Sequence, residues 1–432
     1  MSQRLQIAVG TGLMALSVAL LALLFWTAVD HPVRADDSGM QDYASPLEVL
    51  LSPDGARIYV LCQQSEQVRV LDAASYAVVK NIAVGRVPRG ISLSPDGARL
   101  FVTNSWDDTL SVIDTRTLAV TETWPVGAEP SSVIEDRAGK HLFVANRISN
   151  DVAVLNAQTG DEEKRLVAGR GASYMAQSPD GSRIYVTHVY PNPPQVRSKR
   201  DNRTAPESEI TVIDTARAVV VDRMPLHGIA GVFHVALSAD GRLGVAAEYH
   251  PKNMIPLAHL EHGGAFAYTL TLFGTDVGKP VEVPLDELER YASRPFGLVI
   301  SPDKSRIYVT IGGSEMVTVI DVARLLRFIH ARPLPQSKSF AQDLAASANY
   351  VVARISVGHD PCGLTLSRDG RKLYVANRLE DTLSVIDTRS NRVAATIKLD
   401  GPTEISPLRH GEQTFYTSRY SFQGQIGCAS CH

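Results

Sequence analysis

This sequence is poor in the features that announce several common protein classes. Aromatic residues make up 6% and charged residues 21% of the 432 positions, a balance that gives no sign of disorder or of a coiled coil. The net charge is only −3, too near neutral for a nucleic-acid surface, and no basic stripe lies on a helix. The nearest basic run, Arg197-Ser198-Lys199-Arg200-Asp201-Asn202-Arg203, sits among prolines and acids and reads as a solvated loop. There are four cysteines, Cys62, Cys362, Cys428 and Cys431, with no second close pair to complete a zinc site.

One long apolar run stands at the N-terminus. Positions 7–29 carry no charge and follow Arg4, and Val33-Arg34-Ala35 before Asp36 resembles a signal-peptidase site. The expectation for 1–35 is a cleaved signal, with a retained membrane anchor as the alternative, since 23 apolar residues suffice to span a bilayer. Either way the rest of the chain is expected in the periplasm or another extracytoplasmic space.

A repeat organises the remainder. An apolar run, a Ser-Pro-Asp-Gly turn or variant, and an aromatic-centred strand recur seven times, as in Ser52-Pro53-Asp54-Gly55 and Ser94-Pro95-Asp96-Gly97. Turn positions 55, 97, 139 and 181 are 42 residues apart, and 241, 304 and 370 follow at 60, 63 and 66. A second phrase accompanies the first, as Val112-Ile113-Asp114-Thr115 and Val385-Ile386-Asp387-Thr388. In the turn, Pro presets φ, Asp bonds back to the backbone and Gly accepts positive φ. Four short strands per unit of about 40 residues make a propeller blade, so the expected fold is all-β, a seven-bladed β-propeller over 44–400. Phe101-Val102-Thr103-Asn104, Tyr185-Val186-Thr187 and Tyr374-Val375-Ala376-Asn377 resemble the signature of the YVTN-type propeller family, which implies that fold and little about function.

Strands in a blade alternate direction, so second-to-third loops and blade-to-blade loops share one face. Three insertions, 189–207, 250–264 and 286–294, fall there, and the tail from Gly401 should start beside them. A fourth, 323–349, belongs to the opposite face and includes a short predicted helix. Long loops usually carry function. Histidines His188, His250, His259, His262 and His359 gather on the first face, either as solvated loop residues or as ligands to a metal or haem. Cys62 and Cys362 belong to neighbouring blades and read as two buried thiols or as a ring-fastening disulfide.

The last five residues are Cys428-Ala429-Ser430-Cys431-His432, the c-type haem attachment signature. Its two thiols anchor the haem vinyl groups and the histidine is aimed at the iron, so Cys428, Cys431 and His432 are the cofactor residues and His432 the metal ligand of a covalent haem c. Upstream, Gly411, Phe415, Arg419, Ser421 and Gly424 complete a stretch of about 24 residues that resembles the lead-in to the first haem of bacterial di-haem cytochrome c peroxidases. That resemblance implies that 401–432 begins a peroxidase-like cytochrome domain. The sequence stops at the proximal histidine, before the pocket, the second haem and the acid–base residues of that family, and so reads as a truncated record. No catalytic residue is assigned. The function expected is electron transfer or oxidoreduction with the propeller as docking scaffold, served by a redox partner or electron donor. The alternative is a non-enzymatic envelope propeller that binds a partner through its insertion-bearing face.

Overall fold

A computed structural model describes residues 43–193, 206–251, 266–287, 290–332 and 340–430. The N-terminal segment 1–42, the basic run at 197–203, His259, His262, Cys431 and His432 lie outside the described residues.

Twenty-eight strands form seven four-stranded antiparallel sheets, each built from four strands consecutive in sequence. The blades span 46–83, 88–125, 130–167, 172–227, 231–284, 295–356 and 361–398. The expected seven-bladed propeller is therefore present. Second and third strands are buried almost throughout, as in Arg99–Asn104 and Thr109–Asp114, because both faces press on neighbouring blades. Fourth strands such as Ala119–Pro125 are mostly exposed. That division explains why the inner strands read as runs of Val, Ile, Leu and Tyr.

The repeated residues hold the turns. The Ser94 hydroxyl donates to Asp96 (2.6 Å) and accepts from Arg99 N (2.9 Å), Asp96 accepts from Ala98 N (3.0 Å), and Gly97 has φ +73°. At the end of the second strand, Asn104 donates to Thr109 and Ser111 (3.0 and 2.9 Å) and accepts from Gly85 N in the loop from the preceding blade (3.0 Å). Asn377 donates likewise to Thr382 and Ser384. The same position holds Cys62 in blade one and His188 in blade four, so both are elements of the repeat.

The 323–349 insertion contains the expected helix, α1 (Val322–Ala331). Asp321, whose counterparts in other blades cap a hairpin turn, here accepts from Arg324 N as the helix N-cap. Val322, Leu325, Phe328 and Ile329 bury themselves in the core shared by blades five and six.

No blade combines strands from the two ends of the propeller. The ring closes instead by packing blade one on blade seven, with Ile58, Val60 and Cys62 in one cluster with Tyr374, Ala376 and Val385. Polar contacts finish the seam: Ser45 N donates to Asp381 Oδ1 (2.7 Å) and Arg69 to the Leu399 carbonyl.

Candidate functional site: the covered mouth of the central channel

First strands of all seven blades surround a central cavity of about 1350 Å3. Each carries a register irregularity near its start, which turns successive side chains toward the axis. Four residues before each turn, three blades have glycine: Gly90, Gly297 and Gly363. Close packing requires it, since a Cβ on Gly90 would meet Ser131 O at 2.6 Å. Blades one, four and five place Glu48, Tyr174 and His234 there, and these residues line the channel.

His234 is buried, and Glu48 and Tyr174 are half-buried against the channel wall. Burial pushes the Glu48 carboxyl up to about 8 and the His234 imidazole down to about 3. The Tyr174 and His234 rings stack with centroids 3.5 Å apart. Among the described residues the Glu48 carboxyl has neither a hydrogen bond nor an ion pair. Since its folded pKa lies above 4.5, the folded protein binds more protons than the unfolded chain between pH 4.5 and about 8. Its contribution is full below that window and lost as pH rises through it. Glu48→Gln is expected to gain about 2 kcal/mol over the wild type at pH 8.5 and to match it near pH 4.5, discounting for channel water. Urea denaturation of both proteins at the two pH values measures this, and equal differences at both would remove the assignment.

Arginines crowd the mouth on the insertion-bearing face: Arg89, Arg147, Arg294 and Arg378. Asp360, 2% exposed, accepts from Arg294 and from Arg378 Nε (2.6 Å). Burial alone would raise the Asp360 pKa, but the two guanidiniums outweigh it and hold the carboxyl below its ordinary value. Arg147 donates to Tyr190 Oη (2.9 Å).

The tail covers this mouth. Helix α2 (Pro407–Tyr416) is N-capped by Ser406, whose hydroxyl accepts from Arg409 N (3.2 Å), with proline in the first turn. Arg409 is buried and reaches Ser45 Oγ (2.7 Å) and Gln64 Oε1 (3.0 Å), while Gln413 donates to the Leu379 carbonyl (2.9 Å). The Tyr416 ring lies 4.6 Å from the Arg294 guanidinium and 4.2 Å from that of Arg378. Ser418 N and Oγ both donate to Gly313 O at 2.8 Å, and Arg419 pairs with Glu315. Tyr268 Oη donates to Gln425 O (3.3 Å) and Ser430 Oγ (3.2 Å), so Ala429 and Ser430 become part of the cavity wall. The tail does lie on the face of the 286–294 insertion, where Tyr416 meets Arg294 and Ser430 meets Ser293, as strand alternation requires.

Cys428 opens a short turn, Cys428–Ser430, with its thiol free and exposed. An exposed thiol next to Ala429 and Ser430 of the cavity wall is open to serve as one thioether anchor of a haem c. Cys431 and His432, the other two residues of the signature, fall outside the described residues. Of the histidines, His188 is buried against Thr211 (2.9 Å) and pushed by burial down to about 4. His250 bonds Glu282 (3.0 Å), and His359 bonds Glu315 (2.9 Å), which raises its pKa. Among the described residues no group of three or more His, Cys, Asp or Glu side chains could hold a metal. Cys62 and Cys362 are separate buried thiols, Cys62 pushed by burial up to about 12.

Sequence reasoning had not singled out Glu48, Arg89, Arg378 or Tyr416. Glu48 was legible as a departure from glycine at one repeat position. The arginines were not, because their convergence depends on ring closure.

No family model matches the chain. Hydrazine synthase subunit beta from Kuenenia stuttgartiensis is 29% identical over 180 residues, which are 41% of this chain and 47% of that protein. The match thus spans about half the length of that curated relative. A solved chain of Kuenenia stuttgartiensis hydrazine synthase superposes with a TM-score of 0.73 at 27% identity, covering 80% of this chain and 96% of that one. The protein is a seven-bladed propeller similar to a subunit of a multi-subunit enzyme, with its own tail folded over the mouth of the channel.

Proposed function

We propose that this protein is an exported propeller subunit of a redox assembly and that it seats a c-type haem segment over the mouth of its channel. The observation that carries the reading is the docking of the tail. Arg409, Gln413, Ser418, Arg419 and Ser430 all bond to the propeller, so Cys428 is held at a fixed place on a rigid scaffold. Haem bound there through Cys428, Cys431 and His432 would supply one-electron chemistry. The propeller's part is to orient the segment and present it to an electron donor or a partner domain. Similarity to hydrazine synthase subunit beta supports the subunit role and points to a complex acting on nitrogen compounds as its setting.

The test is expression of the gene with a cytochrome c maturation system, followed by intact mass and haem staining. Covalent haem on the wild type, lost in Cys428→Ser/Cys431→Ser, is the expected result. A matured wild type without covalent haem would overturn the reading.

A second reading keeps the platform and drops the cofactor: an envelope propeller that binds a partner through the same face. Exposed apolar side chains favour it, with Trp106 and Ile148 62% and 54% exposed on second-to-third loops and Tyr420 72% exposed on the tail. Peroxidase turnover dependent on His432 would exclude it.

A further inference from the structure

The charge of the channel wall is not balanced. Six arginines line the cavity, Arg89, Arg137, Arg147, Arg294, Arg368 and Arg378, against two carboxylates, Glu48 and Glu135. Glu135 is already paired with Arg99 at 2.5 Å. Glu48, pushed by burial up to about 8, is mostly protonated at neutral pH. At the tail-covered end, Arg294 and Arg378 share the single carboxylate of Asp360, leaving a surplus positive charge. Among the described residues the Arg147 guanidinium has only the Tyr190 phenol as a hydrogen-bond partner. Among the described residues Arg89 makes no hydrogen bond or ion pair, and its buried Nε is unsatisfied. Burial, and then Arg147, push its pKa down against a smaller opposing pull from the Glu129 carboxylate, which it does not bond, yet a guanidinium stays charged at any ordinary pH. A cation in such a place is costly to hold unless an anion meets it.

We propose that the tail-covered end of the channel is an anion seat, in which Arg89 and Arg147, backed by the surplus charge of the Arg294–Asp360–Arg378 cluster, receive a carboxylate or a small oxyanion. Planar guanidinium forks match both shapes and give them two bonds each. Tyr416 and Ser430 cover the seat from the tail side and Tyr174 and His234 lie on the wall below, so the anion is partly shielded from water, which strengthens charge–charge attraction. Two sources present this chemistry: the propionates of a haem carried on the tail, or a free anion entering from the open end. The seat itself does not depend on haem attachment.

Calorimetric titration of the full chain with inorganic phosphate, and separately with acetate, at fixed ionic strength in chloride tests the proposal. The haem-free chain is expected to bind at least one of them at a single site. Arg89→Gln and Arg147→Gln should each weaken that binding roughly ten- to a hundredfold. Arg137→Gln, at the opposite mouth, should leave it unchanged, and circular dichroism confirms that each variant is folded. If the seat serves haem propionates, phosphate or acetate binding disappears from the haem-bearing chain. If it serves a free anion, the binding persists in both forms. No saturable binding of either probe, or binding indifferent to both Arg89→Gln and Arg147→Gln, overturns the proposal.

Discussion

Asp360→Asn is expected to remove about 3–5 kcal/mol of folding stability at pH 7, the largest single loss among the channel residues. Asp360 stands at φ +51° immediately before Pro361, and its carbonyl accepts from Arg378 N (3.1 Å). Asparagine is the informative replacement because it tolerates the left-handed region nearly as well as aspartate. What the substitution removes is therefore the charge. Two guanidiniums that now share one carboxylate would be left facing each other at the edge of the cavity. Arg378 shows how strongly it relies on that partner: burial would lower its pKa, but Asp360 reverses the sign and raises it. The pH dependence follows from the lowered pKa of Asp360. Its stabilisation is present above the unfolded value of 3.8 and is lost as pH falls through the folded one. Wild type and variant should thus converge in acid and differ most at neutral pH. Chemical denaturation at pH 3 and pH 7 measures both arms. A difference below about 1 kcal/mol at pH 7 would mean that Arg294 and Arg378 do not rely on Asp360.

The architecture was legible in the sequence because a propeller writes its period locally. Each Ser-Pro-Asp-Gly turn is closed by bonds within six residues, as between Ser94 and Arg99, so every blade declares itself without reference to the others. The stretch Ala323–His330 likewise showed α1 locally, and the structure adds that its cap is the repeat's own aspartate. Direction alternation along four strands was enough to put the tail on the insertion-bearing face. The channel was harder. Arg89, Arg147, Arg294 and Arg378 come from blades two, three, five-to-six and seven, and nothing in their local sequence sets them apart from the surface arginines nearby. His188 misled in the other direction, whereas Cys62 is one of the two buried thiols that the sequence allowed. Reactive residue types at the ends of strands look functional, yet both occupy the position where Asn104 and Asn377 pin a loop. Arg409 shows a third case. Resemblance to the haem lead-in drew attention to the glycine, phenylalanine and cysteines around it, while the residue that fastens the tail is the arginine beside them.

Arg409→Ala is expected to cost about 3 kcal/mol and, unlike Asp360→Asn, to free the tail as well as weaken the fold. The reason lies in how the ring closes. Without a blade shared between the two ends, the seam between blades one and seven depends on side-chain packing and a few polar bonds. Arg409 joins three separate parts of the chain at that seam. Its guanidinium bonds Ser45 and Gln64 from blade one, stands 3.7 Å from Asp381 of blade seven, and covers the Tyr43 ring at 4.0 Å. Asp381 in turn accepts from Ser45 N, so the two residues secure one strand from both sides. Burial already raises the Asp381 pKa, and loss of Arg409 would take away its nearest positive charge. Arg409→Lys keeps that charge but loses the planar guanidinium laid over the Tyr43 ring, whose Nη2 bonds both Ser45 and Gln64, and an intermediate loss is expected. Two measurements separate the seam from the tail. Amide exchange at Ser45 and Gln63 reports the seam, and limited proteolysis within 401–430 reports the tail. Faster exchange together with faster cleavage is the expected pair for Arg409→Ala. Faster cleavage with unchanged exchange would mean that the ring holds by packing alone and that Arg409 only fastens the segment bearing Cys428.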